Sequence, residues 1–235
     1  MMEVAKNAGK TLREHAFDMG EVAMKHKDDP VTSLDKSVEV DIRAAVLRNM
    51  PANFIGEEWG EQDNGAEYTW IIDPIDGTKS MISGEFNTSL SIAVELEGKL
   101  MAGCVYDFMR DIMYVGYDRV VSVYHAGYRV KHAKMPDQDI RFIIDGDAVR
   151  ELDLIRALQD KPRVKIIEKN GSIALAMAQV AAGVYDGMVY RTLNKWNVWD
   201  IAGGFYLLDC KGGVFDLERE PVNYTLPQKG IIGLN

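Results

Sequence analysis

Apolar positions recur at helical spacing from the first residues onward. Val4, Ala8, Leu12, Ala16, Met19 and Ala23 form one stripe and predict a helix over residues 3–26, with Gly9 and Gly20 weakening its continuity. Asp28-Asp29-Pro30 reads as a break. Leu34, Val38, Ile42 and Val46 predict a second helix from about Ser33 to Asn49, on which Asp35 and Glu39 share a face. Pro51-Ala52-Asn53 turns the chain into a short strand, Phe54-Ile55-Gly56, that runs into Glu57-Glu58. Residues 60–67 are polar and read as a surface loop. Trp70-Ile71-Ile72 predicts a strand that stops at Asp73, because Pro74 cannot donate to a ladder. Thr88–Leu96 and Leu100–Tyr106 are β-prone and joined by a hairpin signal, Glu97-Gly98-Lys99; further strand-like pieces lie near 112–117 and 120–130.

After about residue 135 the pattern alternates. It predicts strands at Arg141–Ile144, Val164–Ile167, Asp186–Tyr190 and Val214–Leu217, with helices at 147–159, 171–182 and 199–210. The chain thus divides into residues 1–130, helices plus an antiparallel sheet, and residues 131–235, built of α/β units.

Composition narrows the function. With 235 residues and 47% apolar positions, the chain is long enough for a substantial core. Its net charge of −9 speaks against nucleic acid as a partner but leaves an anionic small substrate open, because bound divalent cations reverse the local field. Cys104 and Cys210 lie far apart and fit no metal spacing, the pattern of reduced residues in a cytoplasmic protein. Glu3, Lys6, Lys10 and Arg13 interrupt the N-terminal stripe, so no signal peptide is expected. No run approaches the roughly 20 apolar residues of a membrane span, so no membrane is expected as a partner.

The chemistry centres on Asp73-Pro74-Ile75-Asp76-Gly77-Thr78. A turn at Pro74 brings the second carboxylate round to the side of the first, and Gly77 and Thr78 offer backbone N–H groups to an anion. Paired carboxylates for hard cations beside amide donors suit metal-assisted phosphoryl chemistry. Three other acids stand at element ends: Asp35, Glu57 (followed by Glu58), and Asp200 in Trp199-Asp200-Ile201-Ala202-Gly203-Gly204. Singly, each has an ordinary reading as a helix-dipole acid, a solvated loop acid or a turn former. Together they place several carboxylates at core edges, a costly arrangement unless they converge on cations.

These motifs resemble those of the inositol monophosphatase family. Val31-Thr32-Ser33-Leu34-Asp35 with Glu39 is similar to its first acidic motif, and Phe54-Ile55-Gly56-Glu57-Glu58 to its second. Trp70 through Thr78 matches its signature nearly residue for residue. Gly171-Ser172 and Trp199 through Gly203 are similar to its later motifs. The resemblance implies a mixed α+β and α/β fold, a layered αβαβα sandwich, and a homodimer. It implies one Mg²⁺ held by Glu57, Asp73 and the Ile75 carbonyl, a second held by Asp73, Asp76 and Asp200, and a weaker third ion near Glu57. Gly77 and Thr78 would grip the phosphate, and Thr78 with Asp35 and Glu57 would serve the attacking water.

The expected activity is a Mg²⁺-dependent phosphomonoesterase acting on a small polyol or sugar phosphate, with inositol 1-phosphate leading. Lys79, Ser172 and Lys195 are candidate substrate contacts. Two departures bear on the substrate. Lys79-Ser80-Met81-Ile82 follows Thr78 where inositol-preferring members commonly have Thr-Asn-Phe-Val, and Leu193 stands where they usually carry an acid. Lys79 resembles relatives acting on 3′-phosphoadenosine 5′-phosphate, and Ile82-Ser83-Gly84 those acting on histidinol phosphate, so these and fructose 1,6-bisphosphate stay open. The lysine expected on the loop before Asp35 is Lys25 or Lys27. An aspartyl-phosphate phosphatase leaves Glu57 and Asp200 unexplained, and a non-catalytic relative would not need the complete acid set.

Overall fold

The N-terminal stripe forms a helix, α1 (Met2–Glu14), that buries Ala5, Ala8, Gly9 and Leu12. We describe the fold from a computed structural model that covers residues 1–18, 22–26, 29–131, 139–145, 156, 160–216, 220–225 and 228–235, with side chains described except at 22–26, 29–32, 192–195 and 228–230. Of the helix expected at 147–159 only residue 156 is described; the position of Lys27 and the side chains of Lys25, Leu193 and Lys195 lie outside the described set.

The first helix is shorter than its stripe. It ends at Glu14, and Val22–His26 (β1) instead pairs antiparallel with Asp29–Thr32 (β2), which satisfies its backbone in a ladder. The second helix, α2 (Ser33–Leu47), buries Leu34, Asp35, Val38, Glu39, Ile42, Arg43 and Val46 on one stripe. Strands β3 (Asn53–Gly56), β4 (Gly60–Gln62), β5 (Tyr68–Asp76), β6 (Ser89–Leu96), β7 (Lys99–Asp107), β8 (Ile112–Tyr117), β9 (Val120–His125) and β10 (Tyr128–Val130) form one eight-stranded sheet in the order β10-β9-β8-β7-β6-β5-β3-β4. All its pairings are antiparallel except β3 with β5. The expected loop at 60–67 thus begins with a short edge strand.

The strand carrying Asp73 does not stop there. It runs on to Asp76, and its register against β6 slips between Asp73↔Ser91 and Asp76↔Ser89. Pro74 occupies this irregularity, where a missing N–H costs no ladder bond. A short helix, α3 (Thr78–Ile82), follows.

The second sheet joins β11 (Ile140–Ile144), β12 (Val164–Glu168), β13 (Gly187–Trp196), β14 (Gly213–Phe215) and β15 (Gln228–Leu234) in the order β12-β11-β13-β15-β14. Strand β11 pairs parallel with β12 and β13, as α/β units require, and β15 adds an antiparallel strand that the hydrophobic pattern did not reveal. Helices α4 (Ile173–Ala181) and α5 (Val198–Asp209) lie between the sheets.

The layers follow from the alternation of apolar faces. Leu12, Val38 and Ile42 pack with Cys104, Tyr106, Met113 and Val115 on one face of the large sheet. Val105, Tyr114 and Val123 on the other face pack with Ile173, Met177, Leu207 and Leu208, and Met188 and Ile231 of the second sheet join the same cluster. Close approach of α5 to the large sheet depends on glycines. A Cβ on Gly103 would stand 2.5 Å from the Gly203 carbonyl, and one on Gly203 would stand 2.5 Å from Ser91 Oγ. That contact brings the start of α5, with Asp200, towards the C-terminal end of β5, where Asp73 lies.

Candidate active site

Asp73 is 1% exposed in an otherwise apolar stretch of β5, between Ile72 and Ile75. Its Oδ1 is buried and has no hydrogen-bond partner. Burial pushes its carboxyl well above the ordinary carboxylate range, and the charges of Glu57, Asp76 and Asp200 push it further the same way. Those three acids are therefore its electrostatic neighbours, although they come from the end of β3, the end of β5 and the first turn of α5. A buried carboxylate ringed by like charges is unfavourable unless protons or cations offset it.

Asp76 is partly accessible as a residue, yet its carboxylate is walled in by the start of α4. Its Oδ2 accepts from Ser172 Oγ at 2.6 Å and from the Ala174 N–H at 2.8 Å. Burial raises its pKa from 3.8 to about 7, and these donors moderate the rise. Ser172 is also the N-cap of α4, accepting from the Leu175 N–H at 2.9 Å, and its hydroxyl lies 2.8 Å from Ser89 Oγ. Asp200 turns to its own helix, where Oδ2 accepts from the Asn197 N–H at 2.6 Å in a capping box. Among the described residues no three His, Cys, Asp or Glu side chains converge tightly enough to form a finished cation cage. The acids are neighbours, with Asp76 and Asp200 each partly engaged by helix N–H groups.

Gly77 forms the turn after Asp76. Its φ of +87° lies in the region that favours glycine, and a Cβ there would come 2.8 Å from both the Asn87 carbonyl and the Ser172 nitrogen. The chain around residues 86–87 and the Gly171-Ser172 turn thus close tightly on this point. Thr78 Oγ1 lies 2.9 Å from the Ile75 carbonyl and 3.4 Å from Asp35 Oδ1. Asp35, in the first turn of α2, is 1% exposed.

The structure thus brings Asp35, Glu57, Asp73, Ile75, Asp76, Gly77, Thr78, Ser172 and Asp200 into one neighbourhood. Lys79 is exposed on α3. Lys195 belongs to β13, and its side chain is outside the described set. Three further residues shape the site without having stood out as candidates. Asn87 and Ser89 belong to the same wall as Ser172. Arg43 pairs with the buried Glu39, a relation that the i, i+4 spacing of the two residues could have signalled.

Comparison with known proteins decides the class. The profile of the inositol monophosphatase family matches residues 1–235. The chain belongs to this family. It is similar to the fructose-1,6-bisphosphatase/inositol-1-monophosphatase of Aquifex aeolicus, 28% identical over 233 residues that cover 92% of this chain and 80% of that protein. The Nus factor SuhB of Escherichia coli K12 is 28% identical over 243 residues, covering 99% and 89%. Among solved structures, the extragenic suppressor protein suhB of Bartonella henselae superimposes with a TM-score of 0.82 at 26% identity, covering 100% of this chain and 92% of that one. The layered αβαβα architecture is that of the family. Membership makes the protein a phosphoric monoester hydrolase.

Proposed function

We propose that the protein is a Mg²⁺-dependent phosphomonoesterase of small polyol or sugar phosphates, with inositol 1-phosphate as the leading substrate. The observation that carries this reading is Asp73. Its buried, partnerless Oδ1 and its ring of like charges fit a position shared by two cations. Glu57 and the Ile75 carbonyl would complete one site, and Asp76 with Asp200 the other; a third, weaker ion would lie near Glu57. Hard carboxylate oxygens suit Mg²⁺. Bound there, the ions would neutralise phosphoryl charge and acidify the attacking water.

The chain's own groups do the positioning. Gly77 and Thr78 offer backbone N–H groups to the phosphate, and the tight approach of Asn87 and Ser172 to Gly77 fixes that turn. The Thr78 hydroxyl has a single proton. Donated to Asp35, it leaves the Thr78 oxygen as an acceptor aimed at a water proton, so the pair orients the water and passes its proton to Asp35. The Thr78 hydroxyl has two acceptors in reach, the Ile75 carbonyl at 2.9 Å and Asp35 Oδ1 at 3.4 Å; were the carbonyl to hold a cation, Asp35 would remain as the hydroxyl's acceptor. Ser172 holds Asp76 in place, while Lys79 and Lys195 serve the leaving group.

We further propose a homodimer that acts in the cytoplasm, as the family resemblance and the two widely spaced cysteines lead one to expect. Cys104 and Cys210 are free thiols, and no helix among the described residues is long and apolar enough to cross a membrane. Phosphate release with Mg²⁺ from inositol, fructose, nucleotide and histidinol phosphates, ranked by kcat/KM, tests the proposal. Highest turnover on inositol 1-phosphate is expected; no release from any ester with Mg²⁺ present would overturn it.

A further inference from the structure

The segment that carries Glu57 is fastened to the helix that carries Asp35 by an ion pair withdrawn from water. Glu39 is 0% exposed and Arg43 8%. Glu39 Oε1 accepts from Arg43 Nε at 2.9 Å and from Nη2 at 2.6 Å, and Oε2 accepts from the Glu58 N–H at 2.8 Å. Arg43 continues across the loop: Nη2 donates to the Gly60 carbonyl at 2.7 Å and Nη1 to Gln62 Oε1 at 3.2 Å. Its guanidinium lies 5.2 Å from the centroid of the Phe54 ring. Gly56 leaves room for this arrangement, since a Cβ there would fall 2.0 Å from Glu39 Oε1. A second tie runs from Trp59 Nε1 to the Lys36 carbonyl at 3.1 Å.

Both oxygens of Glu39 are thereby committed to protein donors, so this buried acid is not available as a cation ligand. A buried ion pair adds little net stability over a well-packed apolar pair of the same shape, because desolvation offsets the attraction. What it does supply is geometry. The planar guanidinium joins Glu39 to two points of the segment after Glu57, Gly60 and Gln62, in a fork geometry that a single ammonium would not reproduce.

We propose that Glu39 and Arg43 are positioning residues that aim the Glu57 carboxylate and so set the affinity of one cation site alone. This rests on the reading that Glu57 binds a cation. Of the two sites that share Asp73 only one uses Glu57, and the weaker third ion would lie on that same side; Asp76 and Asp200 are held by α4 and α5, which the Glu39–Arg43 pair does not touch. Loosening the pair therefore weakens one binding event and spares the other. Residues that orient metal ligands typically change affinity about 10–100-fold when altered.

Calorimetric titration with Mg²⁺ of the wild type and the Arg43→Lys, Glu39→Gln and Glu57→Gln variants separates the possibilities. Arg43→Lys keeps the charge and loses the fork, and it carries the test if Glu39→Gln fails to fold. The expected result is a loss of about 10-fold or more in one binding event, the same event that Glu57→Gln weakens, with the other event changed by less than about 2-fold. Turnover in Arg43→Lys should then recover at high Mg²⁺, as a change in KM for the metal rather than in kcat. Equal loss in both events, or no loss in either, overturns the positioning role while Glu57→Gln still behaves as a ligand variant. If Glu57→Gln itself leaves both events intact, the cation role of Glu57 fails and the proposal falls with it.

Discussion

Replacing Asp76 by asparagine should stabilise the metal-free protein at alkaline pH, although it removes a proposed cation ligand. Burial raises the Asp76 carboxyl from 3.8 to about 7. The folded state therefore binds a proton more tightly than the unfolded chain does, and the associated stability is complete below about pH 4 and lost as pH rises through about 7. At about 1.4 kcal/mol per unit, the full shift corresponds to roughly 4 kcal/mol, and the partial solvent access of the residue brings this towards about 2 kcal/mol. Asparagine keeps an acceptor for Ser172 Oγ and the Ala174 N–H without carrying the charge. In a chain of this size each kcal/mol moves the melting temperature by about 2–4 °C. With chelator present, Asp76→Asn should match wild type at or below about pH 4 and melt about 4–15 °C higher at pH 8. Saturating Mg²⁺ should raise Tm of the wild type by more than that of the variant, which keeps only the site built on Glu57, and so narrow or reverse the difference. Differential scanning calorimetry reads both. A variant that melts below wild type at pH 8 without metal would show that the Asp76 charge is not held at a cost, and would refute the reasoning.

Thr78→Ala should lower kcat more than it changes Mg²⁺ affinity, because its hydroxyl serves Asp35 and the water; equal losses in both, by turnover and titration, would make Thr78 structural. Ser172→Ala removes the N-cap of α4 and should cost about 0.5–2 kcal/mol in chemical denaturation. The same change removes a donor that lowers the Asp76 pKa, so in metal-free protein that pKa should rise, as carboxylate NMR would read. Lys169 is a second electrostatic probe: burial and then the charge of Arg110 lower its ammonium to about 8, and its Nζ donates to Gln179 Oε1 at 2.9 Å. Arg110→Gln should move that titration upward, and an unchanged Lys169 signal would mean that burial alone sets it.

The hydrophobic pattern was most informative where burial is one-sided and least where pairing with another strand decides the conformation. Strands β6 to β9 alternate faces along adjacent hairpins, so their positions could be read locally. Strand β1 could not, because Val22–His26 continues the apolar spacing of α1 and its conformation is decided by pairing with Asp29–Thr32. Strand β15 was missed for the same reason, since its partners β13 and β14 precede it in sequence. Pro74 signals a stop in the sequence, yet the sheet absorbs it in a register slip and keeps Asp73 and Asp76 on one strand.

The candidate acids were legible because each ends an apolar element, a position where a carboxylate is conspicuous. Their supports were not. Asn87 touches Gly77 and Ser172 only through the fold, and Ser89 meets Ser172 across 83 positions of sequence. Glu39 shows how far spacing alone reaches. Its place beside Asp35 on α2 marks it as part of an acidic motif, but only the tertiary contacts assign its oxygens to Arg43 and Glu58.

Asp73 is the carboxylate proposed to be shared by two cations. Phosphate release from inositol 1-phosphate by Asp73→Asn, at saturating Mg²⁺ and beside the wild type, addresses it most directly. Loss of one charge that serves both ions predicts a fall in kcat of several decades with the fold intact. Turnover near the wild-type rate would contradict the two-cation site.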